Sequence, residues 1–124
     1  MDGRNVLGME LETCSDDPKT GYLRDGCCHE VPSDAGRHEL CAVMTDEFLR
    51  FTRRHGNDLT TPRPEFNFPG LEAGDRWCLC LGRWLEARDA DEVDAPPVVL
   101  EATSETVLSD VTLDELREYA ADDA

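Results

Sequence analysis

Six cysteines and three histidines are the side chains of this 124-residue sequence with the most direct chemistry. Zinc takes four thiolate or imidazole ligands in a tetrahedron, with Zn–S near 2.3 Å. His38 and Cys41, three apart, and Cys78 and Cys80, two apart, would each supply two ligands, so His38, Cys41, Cys78 and Cys80 form a candidate zinc set. Residues two apart on a strand share a face without readily chelating one ion, and no paired C-x-x-C knuckle occurs. The competing reading makes Cys41, Cys78 and Cys80 small buried hydrophobes. The same residue types suit nucleophilic catalysis, in which a helix N-terminus, an imidazole or a guanidinium stabilises a thiolate. Cys41 stands four residues before a strong helix start and Cys28 is next to His29. Cys28 and Cys41 are therefore the candidate nucleophiles, with His29 or His38, or else His55, as the base. The plainer alternatives are a packed Cys41 and an exposed turn at Cys27 and Cys28.

A third set is ionic. Asn57, Asp58, Arg63, Glu65, Asp75 and Arg76 bring both signs of charge to a segment stiffened by Pro62, Pro64 and Pro69. Arginine's planar fork suits a carboxylate or phosphate, so the expected ligand is a small anion, or else a segment of a partner protein. Against this, the same charges would pair with one another and fasten a long loop. Trp77 and Trp84 read as core anchors rather than cofactor stackers. No phosphate-binding glycine loop, dinucleotide motif, metalloprotease motif or serine elbow occurs.

The background to these sets is strongly acidic. The sequence holds 28 acidic against 12 basic side chains, and Lys19 is its only lysine, for a formal net charge of -16. Such a surface repels itself in dilute buffer and becomes tolerable when molar salt shortens screening to roughly 3 Å, so the composition reads as halophilic. It argues against a nucleic-acid partner, which needs a basic stripe. Only Arg53, Arg54 and His55 cluster, and they suit the negative end of a helix. Apolar runs are too short for a membrane span, and no basic-then-apolar leader opens the chain, so the expectation is a cytoplasmic protein without a membrane partner. In that setting cysteines are expected as thiols, ligands or catalytic groups rather than bridges.

The elements that must position these residues read as an α+β mixture. Residues 5–14 read as a short strand and 38–44 as another. Thr45 caps a helix over 46–55, with Asp46 and Glu47 in its positive first turn, a Met44–Leu49 staple and Gly56 beyond its end. Residues 57–74 form a long proline-rich loop pinned by Phe66, Phe68 and Leu71. Residues 75–81 read as a central strand, with Cys78 and Cys80 on one face and Trp77, Leu79 and Leu81 on the other. Gly82 then breaks the chain before a helix over 83–90. Another strand is expected over 98–102, a short turn capped by Thr103 or Ser104, and a last helix begun by the Thr112/Glu115 capping box. The fold expected is a small two-layer α+β sandwich: a short mixed or antiparallel sheet, two to three helices and the long loop. One domain spans 1–124, with an ordered core over 5–120 and a frayed acidic tail over 121–124.

Several runs carry a resemblance. Asn57-Asp58-Leu59-Thr60-Thr61-Pro62-Arg63-Pro64-Glu65-Phe66 continues into Phe68-Pro69-Gly70-Leu71 and Gly74-Asp75-Arg76-Trp77-Cys78-Leu79-Cys80. With Asn5-Val6-Leu7-Gly8, Thr20-Gly21 and Cys41-Ala42-Val43-Met44-Thr45, this resembles the bacterial and archaeal family called domain of unknown function 2237 over nearly the whole chain. The resemblance implies a small α+β fold and no activity, and this sequence looks like a halophilic member of that family. The residues themselves leave a binding module on the 57–76 loop in the lead, because no catalytic constellation is complete in sequence. A cysteine-dependent enzyme and a structural zinc domain are the alternatives; no cofactor other than zinc is suggested.

Overall fold

The computed structural model describes residues 3–16, 20–23, 25–66 and 68–121. The elements run β1 (Leu40–Val43), α1 (Asp46–Arg54), β2 (Arg76–Leu79), α2 (Leu81–Asp89) and α3 (Leu113–Glu118), with 3-10 turns at Pro64–Phe66, Leu100–Ala102 and Glu105–Ser109. β1 and β2 form a two-stranded antiparallel sheet in the register Leu40↔Leu79, Cys41↔Cys78, Ala42↔Trp77 and Val43↔Arg76. With three helices, this is the small α+β fold expected.

The register decides what each face of the ribbon does. Residues directly opposite in an antiparallel pair point to the same face, and successive residues alternate. Leu40, Ala42, Trp77 and Leu79 therefore face one way, into the main core with Phe48, Phe51, Trp84, Val98 and Leu116. Cys41 and Cys78 face the other way, into a second, smaller cluster with Cys14, Cys28, Val99 and Ala102. Both faces are covered, as the apolar character of β2 required.

Helix α1 forms for the reasons its sequence states. Thr45 is extended and its hydroxyl accepts from the Phe48 N–H, Asp46 and Glu47 lie in the first turn, and Arg53 and Arg54 lie in the last. Gly56 then takes φ +92, the left-handed conformation that ends helices. Thr112 likewise accepts from the Glu115 N–H and starts α3. Phe68 and Leu71 are buried and pin the long loop to the main core, whereas the Phe66 side chain lies outside what the structure describes.

Three expectations are corrected. Residues 5–14 and 98–102 form no strand. They contribute single bridges, Arg4↔Glu10, Asn5↔Ser104 and Ala42↔Val98, and Leu100–Ala102 coils into a 3-10 turn after Pro96 and Pro97. A ladder needs consecutive paired groups, and here the Thr103 hydroxyl takes the Cys41 N–H that a neighbouring strand would use. Gly82 does not break the chain: β2 ends at Leu79 and α2 already begins at Leu81. Parts of the turns expected near Asp17, Pro18, Lys19 and Arg24, and the tail at 122–124, lie outside the described residues.

Candidate functional site

The cysteines separate into two groups. Cys14 is joined to Cys41 and Cys28 to Cys78 in disulfides, leaving Cys27 and Cys80 free. This corrects the expectation of free thiols. Cys28 and Cys41, the expected nucleophiles, are fully buried and bonded, so neither offers a thiolate in this structure. The expected zinc set is divided as well. Cys41 and Cys78 lie in the disulfide cluster, while His38 and Cys80 meet elsewhere, because the chain turns from strand to helix after Leu79 and Cys80 no longer follows the strand's alternation.

Where they meet, a thiol, an imidazole and a carboxylate come together. His38 Nε2 lies 3.1 Å from Cys80 Sγ, and His38 Nδ1 lies 2.9 Å from both carboxylate oxygens of Asp34. The Asp34 side chain is almost entirely buried and also accepts the backbone N–H groups of Gly36 and His38. Thiol, imidazole and carboxylate are thus in line, with the carboxylate fixed by the loop that carries the imidazole. Cys80 is the N-cap residue of the nine-residue α2, so its sulfur stands at the positive end of that helix.

The loop over 34–38 is built to allow this approach. A Cβ on Gly36 would stand 2.9 Å from His38 Cε1 and 3.2 Å from Cys80 Sγ, so only glycine leaves room for the pair. Arg37 adopts φ +52, uncommon outside glycine. Its guanidinium is tied to Glu39, Asp110 and the Thr106 carbonyl, which holds that conformation in place.

The electrostatics follow the contacts. The His38 imidazole is pushed up to about 9, first by its hydrogen bond with the Cys80 sulfur. Burial opposes this rise, while the sulfur's negative charge and Asp34 add to it. Burial alone would raise Asp34, but the hydrogen bonds from His38 outweigh it and hold the carboxylate below its ordinary value. By contrast, burial pushes the Cys27 thiol up, partly offset by a contact with the Thr13 hydroxyl.

Two cavities flank the pair. One of 280 Å³ is lined by His38, Tyr22, Phe68, Trp77, Asp58 and Arg63. The other, of 540 Å³ and more open, is lined by Cys80, Gly36, Gly82, Arg37, Arg83 and Glu86. The Leu81 N–H donates to the Arg37 carbonyl, whereas no acceptor meets the Gly82 N–H among the described residues. Nothing stands within 4 Å of where a Gly82 Cβ would be. An open N–H in the first turn of a helix is a ready donor to an anionic oxygen.

The ionic residues of the long loop are used in different ways. Asp58 accepts from the N–H and hydroxyl groups of Thr60 and Thr61, which hold its carboxylate well below the ordinary range. Asn57 donates to the Thr52 hydroxyl and Asp75 accepts from the Glu72 N–H. These three fasten the loop. Arg63 lines the smaller cavity with Asp58, and Glu65 is exposed. Arg76 pairs across the sheet with Val43. His29 lies 2.8 Å from Asp25, and His55 bonds the Phe51 carbonyl near the end of α1; among the histidines of the described residues it is His38 that bonds a free sulfur.

The sequence reading named His38 both as a base for Cys28 or Cys41 and as a zinc ligand, named Cys80 only as a zinc ligand, and did not name Asp34 as a site residue. The available signal was Asp34-x-x-x-His38 around a glycine, with both residues immediately ahead of a strand. A family model described as an uncharacterised protein conserved in bacteria, DUF2237, matches residues 4–120, and the chain belongs to that family. No curated protein matches it.

Proposed function

We propose that this member of an uncharacterised family is a cysteine-dependent enzyme of the acyl-transfer class, with Cys80 as nucleophile, His38 as proton donor and acceptor, and Asp34 as the residue that orients the imidazole. The observation that carries the reading is the line from Cys80 Sγ through His38 Nε2 and Nδ1 to the buried Asp34 carboxylate. Thiolate, imidazolium and oriented carboxylate are the parts that covalent catalysis at a carbonyl needs. The Cys80 sulfur would add to the carbonyl carbon, the oxyanion would take the Gly82 N–H, and His38 Nε2–H would protonate the leaving group. Water, deprotonated by the neutral imidazole, would then attack the thioester and restore the thiolate.

A second reading uses the same place without a covalent step. Arg63 lines the smaller cavity together with Tyr22, Phe68 and Trp77, which supports an anionic ligand carrying an apolar group. The two readings share His38 and part at Cys80.

The acidic surface supports an adaptation to high salt. No described helix is long and apolar enough to cross a membrane. The compartment we propose follows the state of the sulfurs: the two disulfides suit an oxidising one, whereas a reduced tetrathiol form suits the cytoplasm.

Alkylation tests the catalytic reading. Brief iodoacetamide treatment of folded protein at pH 6.5, followed by peptide mapping, is expected to modify Cys80 and leave the buried Cys27 untouched. Labelling of both at the slow rate of an ordinary cysteine peptide would remove the catalytic reading and leave the binding one.

A further inference from the structure

The disulfide cluster is a separate concentration of sulfur that the site above does not use. We propose that Cys14, Cys28, Cys41 and Cys78, when reduced, form a tetrahedral zinc site, so that the chain exchanges two disulfides for one structural metal ion.

The geometry comes from the register of the sheet. Cys41 and Cys78 are cross-strand partners, so both sulfurs leave the same face of the ribbon side by side. Cys14 and Cys28 arrive from the N-terminal segment on that face. The Cys14 N–H bonds the Gly26 carbonyl, and Cys28 bridges to Thr103. The sulfurs of Cys14, Cys28 and Cys78 lie within 4.8 Å of one another, and the Cys41 sulfur is bonded to that of Cys14. A zinc tetrathiolate with Zn–S near 2.3 Å places neighbouring sulfurs about 3.8 Å apart, within reach of this cluster. All four residues are at most 3 % exposed, so water does not compete for a coordination position, as in a closed structural site.

The backbones of the two strand cysteines are held by hydrogen bonds as well as by the S–S bonds. The Thr103 hydroxyl accepts the Cys41 N–H and donates to the Val99 carbonyl, and the Thr20 hydroxyl accepts the Cys78 N–H. Both buried threonines hold the backbones of the two strand cysteines whichever partner their sulfurs take. Four reduced thiols in so small a volume lose the cross-links that joined β1 and β2 to the N-terminal segment, and a metal ion restores all of them at once.

The steps balance. A dithiol reductant supplies four electrons and four protons, converting two disulfides to four thiols while two equivalents of the dithiol become cyclic disulfide. Zinc then binds with loss of the four thiol protons, giving a site of net charge minus two. A disulfide oxidant such as oxidised glutathione takes four electrons back, re-forms both bonds and releases the ion.

The test is refolding. The full chain is unfolded in guanidinium with dithiothreitol, then refolded anaerobically with and without one equivalent of zinc. The expected result is native near-ultraviolet circular dichroism with zinc, one zinc per chain surviving gel filtration, and release of that zinc on oxidation. Cobalt in its place is expected to give the absorption of a tetrahedral tetrathiolate. A Cys27→Ser, Cys80→Ser double variant is expected to retain full stoichiometry, which separates this site from the Cys80–His38 pair. Failure to take up zinc, failure of zinc to restore the fold, or loss of zinc in that double variant would each overturn the proposal. None of these outcomes bears on Cys80 alkylation.

Discussion

Replacing His38 with alanine should change how Cys80 alkylation depends on pH more than it changes the fold. In the wild type the sulfur is paired with an imidazolium that keeps its proton until about pH 9. An imidazolium in contact favours attack by the sulfur, so on the catalytic reading the alkylation rate is expected to change far less between pH 6.5 and 8 in the wild type than in the variant. In the variant Cys80 loses its 3.1 Å partner, and the comparison is with a free cysteine peptide, whose thiol titrates near ~8.5. At pH 6.5 about 1 % of such a peptide thiol is ionised, so pairing a sulfur with an imidazolium can gain at most roughly a hundredfold in thiolate. Part of that advantage is lost, because a less basic thiolate is a weaker nucleophile, with a Brønsted slope of about 0.4–0.5. The net expectation is a wild-type rate about tenfold higher at pH 6.5. The variant's rate should then climb about tenfold per pH unit, and the two curves should cross near pH ~7.5.

Stopped-time alkylation with peptide mapping measures both curves. Denaturant titration of the same proteins supplies a second readout whose sign is fixed by linkage. A histidine raised from 6.5 to about 9 in the folded state adds stability that is fully present below pH 6.5 and lost as the pH rises through about 9. The stability gap between wild type and H38A should therefore close over that window. Parallel rate curves, both rising tenfold per unit, would show that no ion pair exists and would refute the reasoning.

Gly36→Ala should disturb the same pair without touching its atoms, since the new methyl would stand 2.9 Å from the imidazole; rapid Cys80 labelling at pH 6.5 is expected to fall to the H38A level. Thr103→Val removes the only described acceptor of the buried Cys41 N–H, and chemical denaturation is expected to show a loss of about 1–3 kcal/mol. Under oxidising conditions Cys28→Ser with Cys78→Ser opens a link spanning a sequence separation of 50, for which chain entropy predicts a loss of about 4 kcal/mol; an unchanged denaturation midpoint would contradict the bond. The melting temperature should rise as potassium chloride goes from dilute to molar, because a charge of -16 is left unscreened in dilute buffer; a flat response would remove the salt-adaptation proposal.

What could be read from the sequence was local. Thr45 with Phe48 and Thr112 with Glu115 are capping contacts between residues three apart, and both helices begin where those residues say. The two strands were legible as apolar runs, and their burial on both faces followed from the alternation of Trp77 and Leu79 with Cys78. What could not be read was which distant segments meet. Cys14 and Cys41 are 27 residues apart and Cys28 and Cys78 are 50 apart, and four cysteines admit three pairings that spacing alone does not separate. The strand expected at 98–102 had the right composition, but Thr103 and the turn after Val99 took over the hydrogen bonds a ladder would have used.

The Cys80 site was misread for a more specific reason. Strand alternation puts Cys78 and Cys80 on the same face, and that rule holds only while the strand lasts. Here it lasts to Leu79. Extending it by one residue would send the Cys80 sulfur toward the disulfide cluster, where a fifth cysteine would invite mispairing. Ending it one residue early turns that sulfur to the start of α2 and toward His38. Leu81 assists the change, because it is buried in the main core as the first helical residue and its N–H is taken by the Arg37 carbonyl, which ties the helix start to the loop carrying Asp34 and His38. The position of one strand end thus separates the sulfurs into a cross-linked group and a free one. A substitution that prolongs β2, such as Gly82→Val, is expected to slow Cys80 alkylation while leaving the Cys28–Cys78 link intact. Peptide mapping that found Cys80 equally reactive in that variant would show that the strand end does not control the site.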